Sequence, residues 1–331
     1  MLGENALPEK MQIYYRGSLK SCNYSCAYCP FSKRQATRAQ RQKDVEDLFR
    51  FTSYLVEKQV QNCAVQIVPY GEALLCAHYW EAMARLSRQE GIEAVGCQTN
   101  LSFSIEGTDD KLWYYKSFQG NVEKLRLWCT FHPSMTTLEV FLSQCRKLSE
   151  YEVSYCVGAV GNPDNLELLQ ELRKVLPSSV YLWINKMDGL KRGYTKEEIE
   201  AFCKIDKYFP LELEHKKTDI SKCRRSLFVE ADGSVSFCNI GKNSICMESL
   251  EKTACGEAKE KKEVPLVNFY DMDLSQYQDG SYTCKRKECS CYLSYCNRMD
   301  IEELSAFQPY PAFRIPSYEH GKDGETACIR H

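Results

Sequence analysis

Three cysteines stand close enough along the chain to act together: Cys22-Asn-Tyr-Ser-Cys26-Ala-Tyr-Cys29, a C-x3-C-x2-C spacing on one short loop. Thiolates bind zinc or iron–sulfur clusters. A structural zinc site closes with four ligands. Three thiolates from one loop instead leave one metal of a [4Fe–4S] cube without a protein ligand, and an open coordination position is a catalytic feature. A second group lies far downstream. Cys223 is followed by nine residues, Gly233, four residues and Cys238, and Cys284-x4-Cys289-x-Cys291-x4-Cys296 brings four more cysteines into a short stretch. Ala231-Asp232-Gly233-Ser234 is a turn signal between the runs 226–230 and 235–237, so a hairpin is expected to bring Cys223 and Cys238 together at its open end. Cys63, Cys76, Cys97, Cys129, Cys145, Cys156 and Cys203 fall on apolar faces and read as buried small hydrophobes.

The elements that must position these groups alternate. Apolar runs at 11–17, 63–69, 92–97, 125–131, 151–160 and 180–184 read as strands, and amphipathic stretches at 44–58, 77–89, 110–118, 137–148, 163–176 and 195–209 as helices. Thr195-Lys-Glu-Glu198 has the capping-box pattern, Asp164 falls in a first turn, and Pro177 closes the helix before it. Six β/α units in series imply an α/β fold with a parallel sheet and right-handed crossovers. They are too few for a full eight-unit barrel, so the expectation is a partial (β/α)6 TIM-like barrel. The C-x3-C-x2-C loop follows the first strand, at the end where barrel active sites sit. After Pro210 the rhythm stops. The expected division is a barrel over 1–210 and a small cysteine-rich domain with its tail over 211–331. Within the latter, 251–263 is charged without apolar period and reads as a loop or insertion, and the proline-bearing stretch 309–331 reads as a surface-wrapping tail.

The C-x3-C-x2-C spacing, the aromatic Tyr28 before its last cysteine and its place after strand 1 resemble the radical SAM superfamily. The resemblance implies a [4Fe–4S] cluster on Cys22, Cys26 and Cys29, with S-adenosyl-L-methionine chelating the unique iron. It implies reductive cleavage to methionine and a 5′-deoxyadenosyl radical that abstracts hydrogen from substrate. Roles at the strand ends follow by the same resemblance. Gly71 and Glu72 match half of the family's Gly-Gly-Glu-Pro motif, with Tyr70 and Ala73 as departures, and would hold the SAM amino group as a charge-assisted pair. Gln98-Thr99-Asn100 is similar to the family's Thr-Asn-Gly, with Leu101 in place of glycine; Asn100 would face the ligand or cap the turn. His132 would hydrogen-bond the SAM carboxylate or the substrate, or is structural. Gly158 and Gly161 resemble the strand-5 segment that packs on adenine, or ease the strand into a turn. Asn185 and Lys186 would reach the same rim. The C-x9-G-x4-C hairpin resembles the opening of SPASM and Twitch domains, while the later spacings depart from C-x2-C-x5-C-x3-C. That implies one auxiliary [4Fe–4S] cluster on Cys223, Cys238 and two or more of Cys284, Cys289, Cys291 and Cys296, with Cys328 a spare candidate. A structural zinc site in the tail is the other reading of the same residues.

Composition bounds the rest. With 44% hydrophobic residues among 331, the chain has ample apolar surface for a core, and a net charge of −2 argues against a protein built to coat nucleic acid or anionic membrane. No apolar run reaches the roughly 18 residues of a membrane span, and residues 1–10 lack the apolar region of a signal peptide. Nineteen cysteines in such a setting point to a reducing, cytoplasmic environment with free or metal-bound thiols. Lys33, Arg34, Arg38, Arg41 and Lys43 would rim the barrel mouth with Tyr70 and His132 and hold a carboxylate, a phosphate or an acidic peptide. The expected function is a radical SAM enzyme acting on a peptide or small molecule, with a one-electron donor such as flavodoxin or ferredoxin. The peptide is preferred by family analogy. An RNA-modifying enzyme and a non-catalytic zinc or iron–sulfur protein are the alternatives.

Overall fold

The structure, a computed structural model, describes residues 10–29, 31, 35–213, 222–224, 226–237, 239, 268–274, 281–283, 298 and 302–316. Short runs rich in β-branched, leucine and aromatic residues form the strands: β1 Met11–Arg16, β2 Cys63–Ile67, β3 Ile92–Thr99, β4 Leu125–Phe131, β5 Ser154–Val160 and β6 Leu182–Asn185. Each pairs in parallel with the next. The connections carry α1 Arg38–Glu57, α2 Ala77–Ser87, α3 Lys111–Ser117, α4 Leu138–Glu150 and α5 Leu166–Val175, and β6 is followed by α6 Lys196–Cys203 and α7 Phe209–Leu213. This is the expected α/β alternation.

Two boundaries differ for local chemical reasons. Helix α1 starts at Arg38 rather than at 44, because Thr37 and Gln40 form a capping box: Gln40 N–H donates to Thr37 Oγ1 (3.2 Å) and Thr37 N–H to Gln40 Oε1 (2.9 Å). The basic stretch expected to rim the mouth as a loop is therefore partly helix: Arg38, Arg41 and Lys43 lie on α1, and Lys43 pairs with Asp47 one turn on (2.7 Å). Lys33 and Arg34 lie outside the described residues. The helix expected over 195–209 breaks after Cys203. The buried Asp206 carboxylate accepts hydrogen bonds from Tyr181 Oη (2.7 Å), Ile184 N (2.9 Å) and Tyr208 N (3.0 Å). Such local side-chain-to-backbone bonds compete with the helical ladder.

The hairpin beyond Pro210 forms as expected, with Gly233 at its turn in the left-handed region (φ +88°). Preceded by β7 Lys222–Arg224, its strands are β8 Leu227–Glu230 and β9 Val235–Ser236. Strand β8 lies parallel beside β1, so the sheet runs β6-β5-β4-β3-β2-β1-β8-β9. Strand β7 pairs instead with β10 Ser281–Thr283.

Strand alternation divides the apolar residues between two faces. Ile13, Tyr15, Val65, Ile67, Leu127, Cys129 and Val157 face the helices in the main core. Tyr14, Trp128, Cys156, Trp183 and Phe228 form a second cluster on the other face, and Ala64 and Ala94 a third. Residues 305–315 reach into that interior, which corrects the reading of 309–316 as part of a surface-wrapping tail; residues 317–331 lie outside the described residues. Phe307, Ala312, Phe313 and Arg314 are buried. Small residues make the room: Phe313 packs on Ala64 and Ala94, and a Cβ at Gly96 would stand 2.8 Å from its ring. A partial barrel whose inner strands carry such small residues must be packed by something else, because protein interiors are filled to near-crystalline density. Among the described residues, no helix is long and apolar enough to cross a membrane.

Candidate functional site

A cavity of about 440 Å³ opens at the carboxyl ends of the strands, and Cys22, Cys26 and Cys29 all lie on its wall. The loop that carries them is tied down at both ends. On the β1 side the fully buried Asp44 of α1 accepts hydrogen bonds from Leu19 N (2.9 Å), Ser18 Oγ (3.3 Å) and Tyr79 Oη (3.0 Å), with His78 Nε2 3.1 Å from its other oxygen. On the β2 side Glu72 N–H donates to Ser21 O (3.0 Å). Position 71 must be glycine for that approach: a Cβ there would sit 2.0 Å from Ser21 O.

Glu72 and Asn100 make contacts within the protein that the resemblance does not imply. The buried Glu72 carboxylate accepts from Thr99 Oγ1 (2.8 Å), Leu74 N (3.1 Å) and Asn100 N (2.6 Å), bracketing the ends of β2 and β3. Burial pushes its pKa up to about 7 against the pull of these donors. Asn100 both caps the turn and faces the cysteines: its Oδ1 accepts from Ser102 N (3.0 Å), and its Nδ2 donates to Asn23 Oδ1 (3.0 Å) and reaches Cys22 Sγ (3.7 Å). Leu101, in place of the family's glycine, takes the left-handed backbone (φ +58°) and buries its side chain.

Each of the first two cysteines is held differently. Tyr24 N–H donates to Cys22 Sγ (3.4 Å). Desolvation raises the thiol pKa values of Cys22 and Cys26, and each is raised further by Cys29, so the three groups feel one another's charge. The Tyr28 hydroxyl interacts with Cys26 and lies 2.8 Å from His132 Nδ1. His132 is on the cavity wall, and desolvation lowers its pKa to about 4, so it is neutral at pH 7. Among the described residues no three His, Cys, Asp or Glu side chains converge to hold a metal ion. An iron–sulfur cube takes thiolates on separate irons, and Cys22, Cys26 and Cys29 lining one cavity are donors of the type it uses.

The far wall is made by β4 and β6. Trp128 and Thr130 alternate along β4, with His132 just beyond its end, and Trp183 and Asn185 alternate along β6. Trp128 Nε1, Thr130 Oγ1 and Asn185 Oδ1 are buried without a hydrogen-bond partner among the described residues. Buried polar atoms are normally paired, and these three are free to pair with a molecule bound in the cavity. Trp128 and Thr130 went unnoticed in the sequence; the signal was there, because both share the face of His132 at two-residue spacing. Two expected contacts are placed elsewhere. Gly158 is not on the cavity wall but stands beside Trp128, and Lys186 lines a separate cavity with Met187 and Tyr194, since β6 turns away after Asn185.

The remaining cysteines differ in setting. Cys63, Cys97, Cys129, Cys145 and Cys156 are buried, and burial pushes the thiols of Cys63, Cys97, Cys129 and Cys145 up, that of Cys145 to about 12, which keeps those four protonated. Cys76 is half-buried at the start of α2. Cys203 is disulfide-bonded rather than free, whereas every other described cysteine is free. Cys223 is buried in β7. Cys238, Cys284, Cys289, Cys291, Cys296 and Cys328 lie outside the described residues.

No protein-family model matches the chain, and no curated protein does. Among solved structures it is similar to native anSMEcpe with bound AdoMet, at 12% identity over 81% of this chain and 80% of that chain, with a TM-score of 0.49. It is likewise similar to native anSMEcpe with bound AdoMet and Cp18Cys peptide, at 13% identity over 81% and 80%, with a TM-score of 0.48. At that identity and TM-score the likeness assigns no role to any residue of this chain.

Proposed function

We propose that this chain is a radical S-adenosylmethionine enzyme that acts on a peptide or small-molecule substrate. One observation carries the reading: the three thiols of Cys22, Cys26 and Cys29 line a single cavity at the carboxyl ends of a parallel sheet, opposite a wall of buried polar atoms without partners. Those cysteines would hold the [4Fe–4S] cluster. The chemistry that such a cluster supplies when bound is one-electron reduction of S-adenosylmethionine, which leaves methionine and a 5′-deoxyadenosyl radical able to take a hydrogen atom from substrate. The chain's own residues do the rest. Asp44 and Gly71 fix the loop, Asn100 and Tyr24 N–H donate to Cys22, and the wall from Trp128 to Asn185 orients the bound molecule. Phe31 and Tyr70 line this cavity and also a neighbouring one of about 700 Å³, and their rings meet edge to face, 5.3 Å between centroids, where the two cavities adjoin.

An auxiliary cluster on Cys223, Cys238 and members of the 284–296 group is part of the proposal. Cys223 is paired with Tyr282 of β10, which ends one residue before Cys284, and it forms a bridge with Arg298, two residues after Cys296. Both pairings support that ligand set. A flavodoxin- or ferredoxin-type donor would supply the electron.

The test is anaerobic reconstitution with iron and sulfide, followed by electron paramagnetic resonance and assay of 5′-deoxyadenosine. Wild type should gain a reducible cubane spectrum and cleave S-adenosylmethionine. Cys29→Ala should lose S-adenosylmethionine cleavage and keep only the spectrum of the auxiliary cluster, and Cys238→Ala should retain uncoupled cleavage without product. Uptake of zinc alone, with no 5′-deoxyadenosine formed, refutes the proposal.

A further inference from the structure

Arg314 is fully buried, and its backbone is left-handed (φ +51°, ψ +33°). A buried charge and a strained backbone each persist only where the surroundings over-determine them. Asp206 and Glu212 lie within electrostatic reach of the guanidinium. It lies 2.9 Å from the ring centroid of Trp183 and 4.4 Å from that of Trp128, and both indoles line the candidate site.

Trp128 Nε1 is buried without a hydrogen-bond partner among the described residues, although a buried indole N–H usually has one. Its register partner on β5 is Cys156, but Gly158 lies close by, and a Cβ there would stand 2.6 Å from that nitrogen. The glycine keeps a side chain off the buried N–H. A cation over the indole face is attracted to the ring's π electrons and, by drawing on them, makes the N–H a stronger donor.

We infer that Trp128 is a ligand-binding residue whose N–H donates to an acceptor atom of bound S-adenosylmethionine, and that Arg314 is a positioning residue that holds the indole in place on the side away from the ligand. The inference rests on the reading of the cavity as an S-adenosylmethionine site. Calorimetric titration of S-adenosylmethionine into the reconstituted protein tests it, with tryptophan emission followed on the same samples. Trp128→Phe keeps a ring and removes the donor, and should weaken binding about two- to tenfold, the span of one hydrogen bond. Arg314→Met should weaken binding by a similar factor and shift the tryptophan emission, and Arg314→Lys, which keeps the cation, should recover most of the affinity. The double variant Trp128→Phe/Arg314→Met should bind no more weakly than Trp128→Phe alone, because the two residues act through one contact. Losses that multiply in the double variant overturn the positioning role. Trp128→Phe that binds as tightly as wild type overturns the inference alone, whereas wild type that takes up iron but no S-adenosylmethionine overturns the proposed function with it.

Discussion

Gly71 and Glu72 show how much of the site is held by contacts that a substitution of one atom or one group would break. Gly71→Ala would force a carbon to within 2.0 Å of Ser21 O. The junction between β2 and the cysteine loop must then open, with an expected loss of about 1–3 kcal/mol in chemical denaturation and reduced iron uptake on reconstitution. Glu72→Ala would leave Thr99 Oγ1, Leu74 N–H and Asn100 N–H without their acceptor. Each stranded buried group costs about 1–3 kcal/mol, so this variant should be among the least stable in a thermal melt, whereas Glu72→Gln keeps an oxygen acceptor and should recover part of the loss.

At the scale of elements, the cysteine loop is positioned by helices it does not belong to. Asp44 sits on α1, receives Tyr79 from α2 and clamps the backbone at Leu19, just before Cys22. Asp44→Ala strands two buried donors, and a loss of about 2–4 kcal/mol is expected. If the clamp sets the loop, iron bound per chain should fall in this variant even below its unfolding temperature. An Asp44→Ala protein with full iron loading would show that the Gly71 contact alone is sufficient. The segment that packs the interior of the sheet is the other dependent element. Phe313→Ala removes the side chain packed on Ala64 and Ala94, and about 3–5 kcal/mol of stability is expected to go with it, read as a lower urea midpoint.

At the scale of the whole molecule, burial of carboxyl groups near the β6 edge makes stability depend on pH. Burial raises the Glu212 pKa to about 8 and that of Asp206 to about 6. In the unfolded chain both ionise near their ordinary values of about 4. The folded state therefore holds protons that the unfolded state has released. The stability these groups provide is fully present below about pH 4 and is lost as pH rises, for Asp206 up to about 6 and for Glu212 up to about 8. The urea midpoint should fall between pH 5 and pH 8, and Glu212→Gln, which cannot ionise, should flatten that fall. An unchanged slope in Glu212→Gln would place the proton elsewhere.

What the sequence by itself determined is local: a strand, a helix and a C-x3-C-x2-C loop are each written in residues a few positions apart, so their order, the parallel sheet and the place of Cys22, Cys26 and Cys29 at its carboxyl end were all legible from spacing. The hairpin around Gly233 was legible for the same reason. Its partner was not: that β8 lies beside β1 joins residues more than 200 apart, and no local pattern records such a pairing. The tertiary structure alone decided that Phe313 and Arg314 enter the interior, because the vacancy they fill is made jointly by Ala64, Ala94 and Gly96 on other strands. It alone set Trp128 against Gly158 and Arg314, and Asp44 against the loop before Cys22. Close packing couples side chains by shape and by hydrogen bond regardless of their distance along the chain, and that coupling is what only the folded molecule displays.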